Sequence, residues 1–122
     1  MSGFENLTLH GAALMRGGRR LLGPLDLTLD TSGITAILGH NGAGKSLFIQ
    51  MCHGQFPPSA GRIAWNGADA ITSRRERSFM FQNTPLLRRS VFANVEFPLV
   101  AQGIPRTERH RRTHLALQTA RL

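Results

Sequence analysis

Eight consecutive residues, Gly39-His40-Asn41-Gly42-Ala43-Gly44-Lys45-Ser46, fit the pattern G-x-x-x-x-G-K-[ST] at every fixed position. Residues of these types in this order can hold a polyphosphate. Gly42 and Gly44 reach backbone angles closed to residues with a Cβ, so successive N–H groups can turn inward toward phosphate oxygens. A helix that begins where the loop ends adds partial positive charge at the same spot. Lys45 is then placed to reach the β- and γ-phosphates as a point charge, and the Ser46 hydroxyl to complete the coordination of a magnesium ion carried in with the nucleotide. Lys45 is the only lysine among the 15 Lys and Arg residues. A solvated surface lysine is the plainer reading of that residue alone, but the loop around it favours nucleotide binding.

The flanking elements occur in the order such a loop needs. Ile34-Thr35-Ala36-Ile37-Leu38 reads as a short, buried parallel strand, and Ser46 to Cys52 as the helix that follows. Upstream, Phe4 to Leu9 and Leu25 to Leu29 alternate apolar and polar residues as half-buried strands do, joined by the turn Arg16-Gly17-Gly18-Arg19-Arg20. Asp30 to Gly33 is a second turn. Downstream, His53 to Gly61 is rich in Gly and Pro and reads as irregular; Arg62 to Trp65 is a short strand closed by the turn Asn66-Gly67. Asp69 to Arg77 reads as a short helical or irregular stretch. Ser78-Phe79-Met80-Phe81 reads as another buried strand running into Gln82. A short helix over Ser90 to Val95 has Ser90 as its N-cap and is expected to end at Pro98. From Pro105 a basic helix begins, with Glu108 and Arg112 paired four residues apart.

Composition sets the bounds. A chain of 122 residues with 41% hydrophobic residues can build one domain, or part of one. No apolar run approaches the roughly 20 residues that span a bilayer, and Met1 to His10 lacks the pattern of a secretion signal, so a chain neither secreted nor membrane-spanning by itself is expected. The single cysteine, Cys52, excludes an internal disulfide framework and a cysteine-rich zinc site, and is expected to pack inside the helix after the loop. The net charge of +8 raises the question of nucleic acid. The arginines are spread over several groups (Arg16, Arg19 and Arg20; Arg74, Arg75 and Arg77; Arg88 and Arg89; Arg106, Arg109, Arg111 and Arg112), with no aromatic residues interleaved as a base-stacking platform. They read as solvated surface, and no nucleic-acid partner is expected.

The glycine loop, the turn Pro58-Ser59-Ala60-Gly61-Arg62-Ile63, the stretch Phe81-Gln82-Asn83-Thr84-Pro85-Leu86-Leu87 and the run Ser90 to Val95 followed by Phe97-Pro98-Leu99 together resemble the ATP-binding subunit of an ABC transporter. The resemblance covers nearly the whole chain. It implies an α/β fold: a P-loop NTPase core with an N-terminal antiparallel β subdomain, of the ABC ATPase type. Residues 1–122 would form the N-terminal part of that domain, with the phosphate loop at 39–46 and the Q-loop around 82–90. By the same resemblance the cofactors are ATP and Mg2+, with the nucleotide held by Gly39, His40, Asn41, Gly42, Ala43, Gly44, Lys45, Ser46 and Leu47. Lys45 and Gln82 take catalytic roles, and Ser46 and Gln82 the magnesium ion. An amide at position 82 offers both a donor and an acceptor, which suits a γ-phosphate and its water. Asn83 to Ser90 would face a transmembrane permease subunit.

Two positions depart from the family pattern. Where the family has an aromatic residue, usually Tyr, to stack on adenine, this chain has Met15 and Arg16, and Arg16 is the candidate for that contact through its guanidinium plane. After Ser46 the family commonly has a hydroxyl residue, and here it is Leu47. The L-S-G-G-Q signature, the catalytic glutamate and the switch histidine of the family do not occur in the sequence. The resemblance thus implies a domain cut before the signature, inactive alone. The complete protein would pair with a second ATP-binding subunit and hydrolyse ATP to drive import. It would sit in the cytoplasm at the inner membrane face through its permease, with a solute-binding protein as an indirect partner. Leu47, His53-Gly54 and Ile63-Ala64-Trp65 look most like tungstate or molybdate importer subunits. The alternative is a nucleotide-binding or interaction module that functions without turnover.

Overall fold

The computed structural model describes residues 6–122. They divide into two compact units, one reaching to Phe79 and one from Met80 to Leu122. The alternation expected from position 4 begins, within the described residues, at β1 (Asn6–Arg16), which pairs antiparallel with β2 (Arg19–Asp30) across Gly17-Gly18. On the other side of β1 lies β3 (Ala60–Trp65), followed by β4 (Ala68–Asp69), so the antiparallel sheet has the order β2-β1-β3-β4. The period of two carries Leu7 and Leu9 to one face, where they meet Met51 and Cys52 of helix α1 (Lys45–His53) and Ile63 of β3 in a common core. Leu9, Met51 and Ile63 are almost fully buried, each contributing about 1.5–3 kcal/mol relative to exposure.

Polar groups tie α1 to β3 and the turns that follow. Trp65 Nε1 donates to Cys52 O at 2.7 Å near the end of α1. Arg77, expected among the solvated arginines, is turned inward instead. It donates to Ala70 O at 2.7 Å, Ser73 Oγ at 2.9 Å and His53 O at 3.1 Å, and lies 4.9 Å from the Trp65 ring. A planar group with five donors can serve several carbonyls at once, which a charge count does not reveal. Burial draws its pKa below the usual guanidinium value, opposed by Glu76 and Asp69. Cys52 is buried in α1 as expected, and burial pushes its thiol up to about 12 against the opposing charge of Arg77.

Two expected strands do not form. Residues 34–38 and 78–81 have no strand pairing, and Ile34, Leu38 and Met80 are 103%, 90% and 89% exposed. Their apolar content is that of a buried strand, but among the described residues no strand lies beside either segment to complete a ladder. A cavity of about 520 Å³ opens in the first unit between Ile37, Phe48, Ile49, Trp65 and Phe79.

In the second unit, α2 (Val91–Ala101) starts as expected, with Ser90 Oγ accepting the Ala93 N–H at 3.1 Å. It does not stop at Pro98, which lies inside it. The missing proline N–H deprives only the Asn94 carbonyl of its helical donor. The helix closes at Gly103, where the Gly103 N–H reaches Val100 O at 2.9 Å and the Ile104 N–H reaches Leu99 O at 3.0 Å. Helix α3 (Arg106–Thr119) follows Pro105. Glu96 of α2 accepts from Arg109 Nε at 3.0 Å and lies 3.1 Å from His110 Nε2, joining the two helices. Glu108 takes the expected Arg112 at 2.6 Å and also Arg111 at 2.7 Å. Hydrogen bonds from Arg111 first, and then from Arg112, draw its carboxyl down to about 2.

Candidate phosphate-binding loop

Gly39 to Gly44 connect an irregular segment to the first residue of α1. Within the loop the Ala43 N–H donates to His40 O at 3.2 Å. Gly44 is the N-cap at φ 87° and ψ 10°, a left-handed conformation strained for any residue with a Cβ, and a Cβ there would also come within 3.2 Å of Leu22 Cδ1. The first helical bond runs from the Phe48 N–H to Gly44 O at 2.9 Å. The amides of Lys45, Ser46 and Leu47 therefore have no helical acceptor, and no acidic side chain sits in the first turn. Free N–H groups, the positive end of the helix dipole and the lack of a competing carboxylate make this turn a cradle for an anion.

Lys45 completes it. Its Nζ donates to Gly39 O at 2.6 Å and to His40 O at 2.7 Å, so the ammonium lies back across the loop and retains a third N–H for an oxyanion. Ser46 is exposed beside it, its hydroxyl free to act as an oxygen ligand. The Leu47 side chain packs against the core, which leaves only its backbone amide for a phosphate. His40 Nδ1 lies 2.9 Å from Asn41 O, and Asn41, Gly42 and Ala43 are exposed along the loop.

Two further candidates belong to other segments of the chain. Arg16 is exposed at the end of β1, paired in register with Arg19. Gln82 belongs to the second unit and is exposed in an irregular segment rather than at a strand end. Three residues with clear roles carried no signal that stood out in the sequence: Leu22, which packs against Gly44, Ser59, and Asn94. Ser59 Oγ accepts the Met15 N–H at 2.9 Å and donates to Met15 O at 3.3 Å, fixing the end of β1. Asn94 clasps the backbone at 87–90: its Oδ1 accepts the Leu87 N–H at 2.8 Å, and its Nδ2 donates toward Leu87 O at 3.0 Å, Ser90 O at 3.1 Å and Arg89 O at 3.3 Å. Its position four residues after the N-cap Ser90 is the one signal that could have marked it.

A glycine loop feeding a helix that starts on Lys-Ser, beside an antiparallel sheet, defines a P-loop fold of the ABC ATPase type. Residues 22–122 match the ABC transporter family, and the chain belongs to it. It is 35% identical over 102 residues to the ATP-binding protein TupC of a tungstate uptake system in Peptoclostridium acidaminophilum, covering 84% of this chain and 48% of that protein. It is 38% identical over 104 residues to the methionine import ATP-binding protein MetN of Cereibacter sphaeroides, covering 76% and 30%. Among solved structures, CbiO1 of Clostridium perfringens, part of the ABC transporter complex CbiONQ, superposes with a TM-score of 0.74 at 30% identity, covering 92% of this chain and 49% of that one. The chain thus spans at most about half the length of these relatives.

Proposed function

We propose that this chain forms the ATP-binding part of an ABC importer subunit, with Gly39 to Ser46 holding the triphosphate of Mg-ATP. The observation that carries this reading is the placement of Lys45 Nζ across a loop whose helix start presents unbonded amides and no acid. In this reading the amides of Lys45, Ser46 and Leu47 and the Lys45 ammonium bind phosphate oxygens, and Ser46 is a ligand of the metal. Magnesium, when bound, offsets the charge of the β- and γ-phosphates. Gln82 links the nucleotide to the segment that follows it, which in the complete protein docks on a transmembrane permease at the inner face of the membrane. A second ATP-binding subunit completes the site, and a solute-binding protein delivers the solute. Likeness to a tungstate uptake protein supports an oxyanion as that solute.

Asp26, Asp30 and Asp69 each accept a backbone amide, from Gly11 at 2.8 Å, Ser32 at 2.9 Å and Ile71 at 2.9 Å. With these carboxylates engaged by backbone amides, the 122-residue chain is expected to bind Mg-ATP without turning it over. Equilibrium titration with Mg-ATP, alongside a phosphate-release assay, tests this on the chain and on Lys45→Ala. The substitution is expected to weaken binding by about 10- to 100-fold, the worth of one charge-assisted contact. Equal affinity in the two proteins refutes the loop assignment; lysine-dependent phosphate release refutes the claim that the base is absent.

A further inference from the structure

Gly44 has to keep its left-handed backbone, φ 87° and ψ 10°, for the amides of Lys45, Ser46 and Leu47 to leave the helix start as a set. As a glycine it has no side chain to pack and the widest choice of backbone angles of any residue. The bonds inside the loop, from the Ala43 N–H to His40 O and from Lys45 Nζ to Gly39 O and His40 O, all bypass it. What meets Gly44 from outside the loop is β2. A Cβ built on Gly44 would lie 3.2 Å from Leu22 Cδ1 and 3.9 Å from Leu21 O.

The register of the hairpin carries Leu22 to that place. β1 and β2 pair regularly from Asn6–Asp30 to Leu9–Leu27; beyond a first irregularity Ala12 faces Leu25, Leu14 faces Leu22 and Met15 faces Arg20. Gly23 and Pro24 therefore stand opposite Ala13 alone, and Leu21 has no residue opposite it, so β2 bulges on each side of Leu22. A bulge bends its strand and re-aims the side chain beside it. Gly23 is at φ +80°, where a Cβ would run into Ala12 O, so the first of these bulges needs glycine. Leu22 is half-buried, packed on the core cluster that includes its partner Leu14, and its Cδ1 extends from there to Gly44. Leu25 packs on the same core, but none of its atoms lies within 4 Å of the Gly44 Cβ position. Resting on the reading of the loop as a triphosphate site, we propose that Leu22 is a positioning residue for phosphate binding. It acts through Gly44, holding that backbone in the left-handed region so that the loop amides are aligned before the anion arrives, and the cost of ordering them does not fall on binding.

The test titrates Mg-tripolyphosphate and Mg-ATP into the 122-residue chain and into Leu22→Ala, Leu22→Met and Leu25→Ala, with the thermal unfolding of each followed alongside. Leu22→Ala is expected to weaken both ligands by the same factor, about tenfold, the cost of fixing one residue's backbone on binding. Leu22→Met keeps the reach of the side chain and stays within about twofold of the wild type. Leu25→Ala takes a similar apolar side chain from the same core, so it lowers the unfolding midpoint as Leu22→Ala does, yet leaves both affinities within about twofold. Should Leu22→Ala not fold, Leu22→Val, one methylene shorter than the wild type, is expected to weaken both ligands by about threefold. Unchanged affinities in the folded Leu22 variant overturn the proposal, as does a loss confined to Mg-ATP, which would place the effect at the nucleoside. An equal loss of affinity in Leu25→Ala overturns it too, by tracing the effect to general stability. If the wild-type chain binds neither ligand, the loop assignment fails and this proposal with it.

Discussion

Asn94 gives the sharpest test of how the second unit is held together, because replacing it moves two neighbouring regions in opposite directions. In Asn94→Ala the loop at 87–90 loses one acceptor, for the Leu87 N–H, and the two N–H donors now shared among Leu87 O, Arg89 O and Ser90 O. Each such bond contributes about 0.5–1.5 kcal/mol net, and because the loop is exposed, water replaces part of what is lost, so the low end of that range applies. Three groups then give about 1.5 kcal/mol of local loosening. Within α2 the same substitution is favourable, since alanine is a better helix former than asparagine by roughly 0.6 kcal/mol. Native-state hydrogen exchange separates the two effects. The Leu87 amide is expected to exchange about 10-fold faster, while amides in the middle of α2 exchange at the same rate or more slowly. Asn94→Asp, which keeps the acceptor and loses the donors, should fall between wild type and Asn94→Ala at Leu87. A Leu87 rate within threefold of wild type in Asn94→Ala would show that the clasp does not hold the loop, and the docking role proposed for that segment would lose its structural basis.

Two further outcomes follow from particular contacts. Gly54 ends α1 at φ +88°, and a Cβ there would lie 2.1 Å from Ala70 O; the left-handed backbone adds about 1–2 kcal/mol and the clash another 1–3. Gly54→Ala should therefore lower the thermal midpoint of unfolding by roughly 10–20 °C, whereas Gly67→Ala, left-handed at φ +81° but facing open space, should lower it by less than half as much; equal shifts would refute the clash. The Glu108 carboxyl, drawn down first by Arg111 and then by Arg112, should titrate near pH 2 by carboxyl NMR. Since the folded value lies below the ordinary one, the stability it adds is present above pH 4.5 and is lost as pH falls toward 2. A midpoint of 4 or above would mean the arginines do not hold it.

The sequence was informative wherever an element is specified by its own residues. The alternation at Leu7 and Leu9, the turn at Gly17-Gly18, the Ser90 cap and the Glu108–Arg112 pair all involve neighbours within a few positions, and all are present. The stop at Pro98 was misplaced because a proline removes one donor without forbidding the turn, while Gly103 ahead of Pro105 supplies the actual termination. Arg77 was misread because charge predicts solvation only when no buried carbonyls converge on the side chain, and three acceptors do so here. The segments 34–38 and 78–81 have the composition of buried strands, but a strand is made by its neighbours, and composition says nothing about whether they are within reach.

The same distinction between local and distant contacts accounts for what was legible at the site. Lys45 finds both of its acceptors within six residues, at Gly39 and His40, so a motif eight residues long contains the whole of that arrangement. What surrounds the loop is assembled over far greater separations: Leu22 against Gly44, and Ser59 against Met15 across 44 positions. Phosphate chemistry requires closely spaced amides and a cation, and it is therefore written as a motif. A sequence pattern can thus indicate that a triphosphate fits, while the packing that holds the loop in place, Leu22 against Gly44 and Ser59 against Met15, is decided by contacts that no short motif contains.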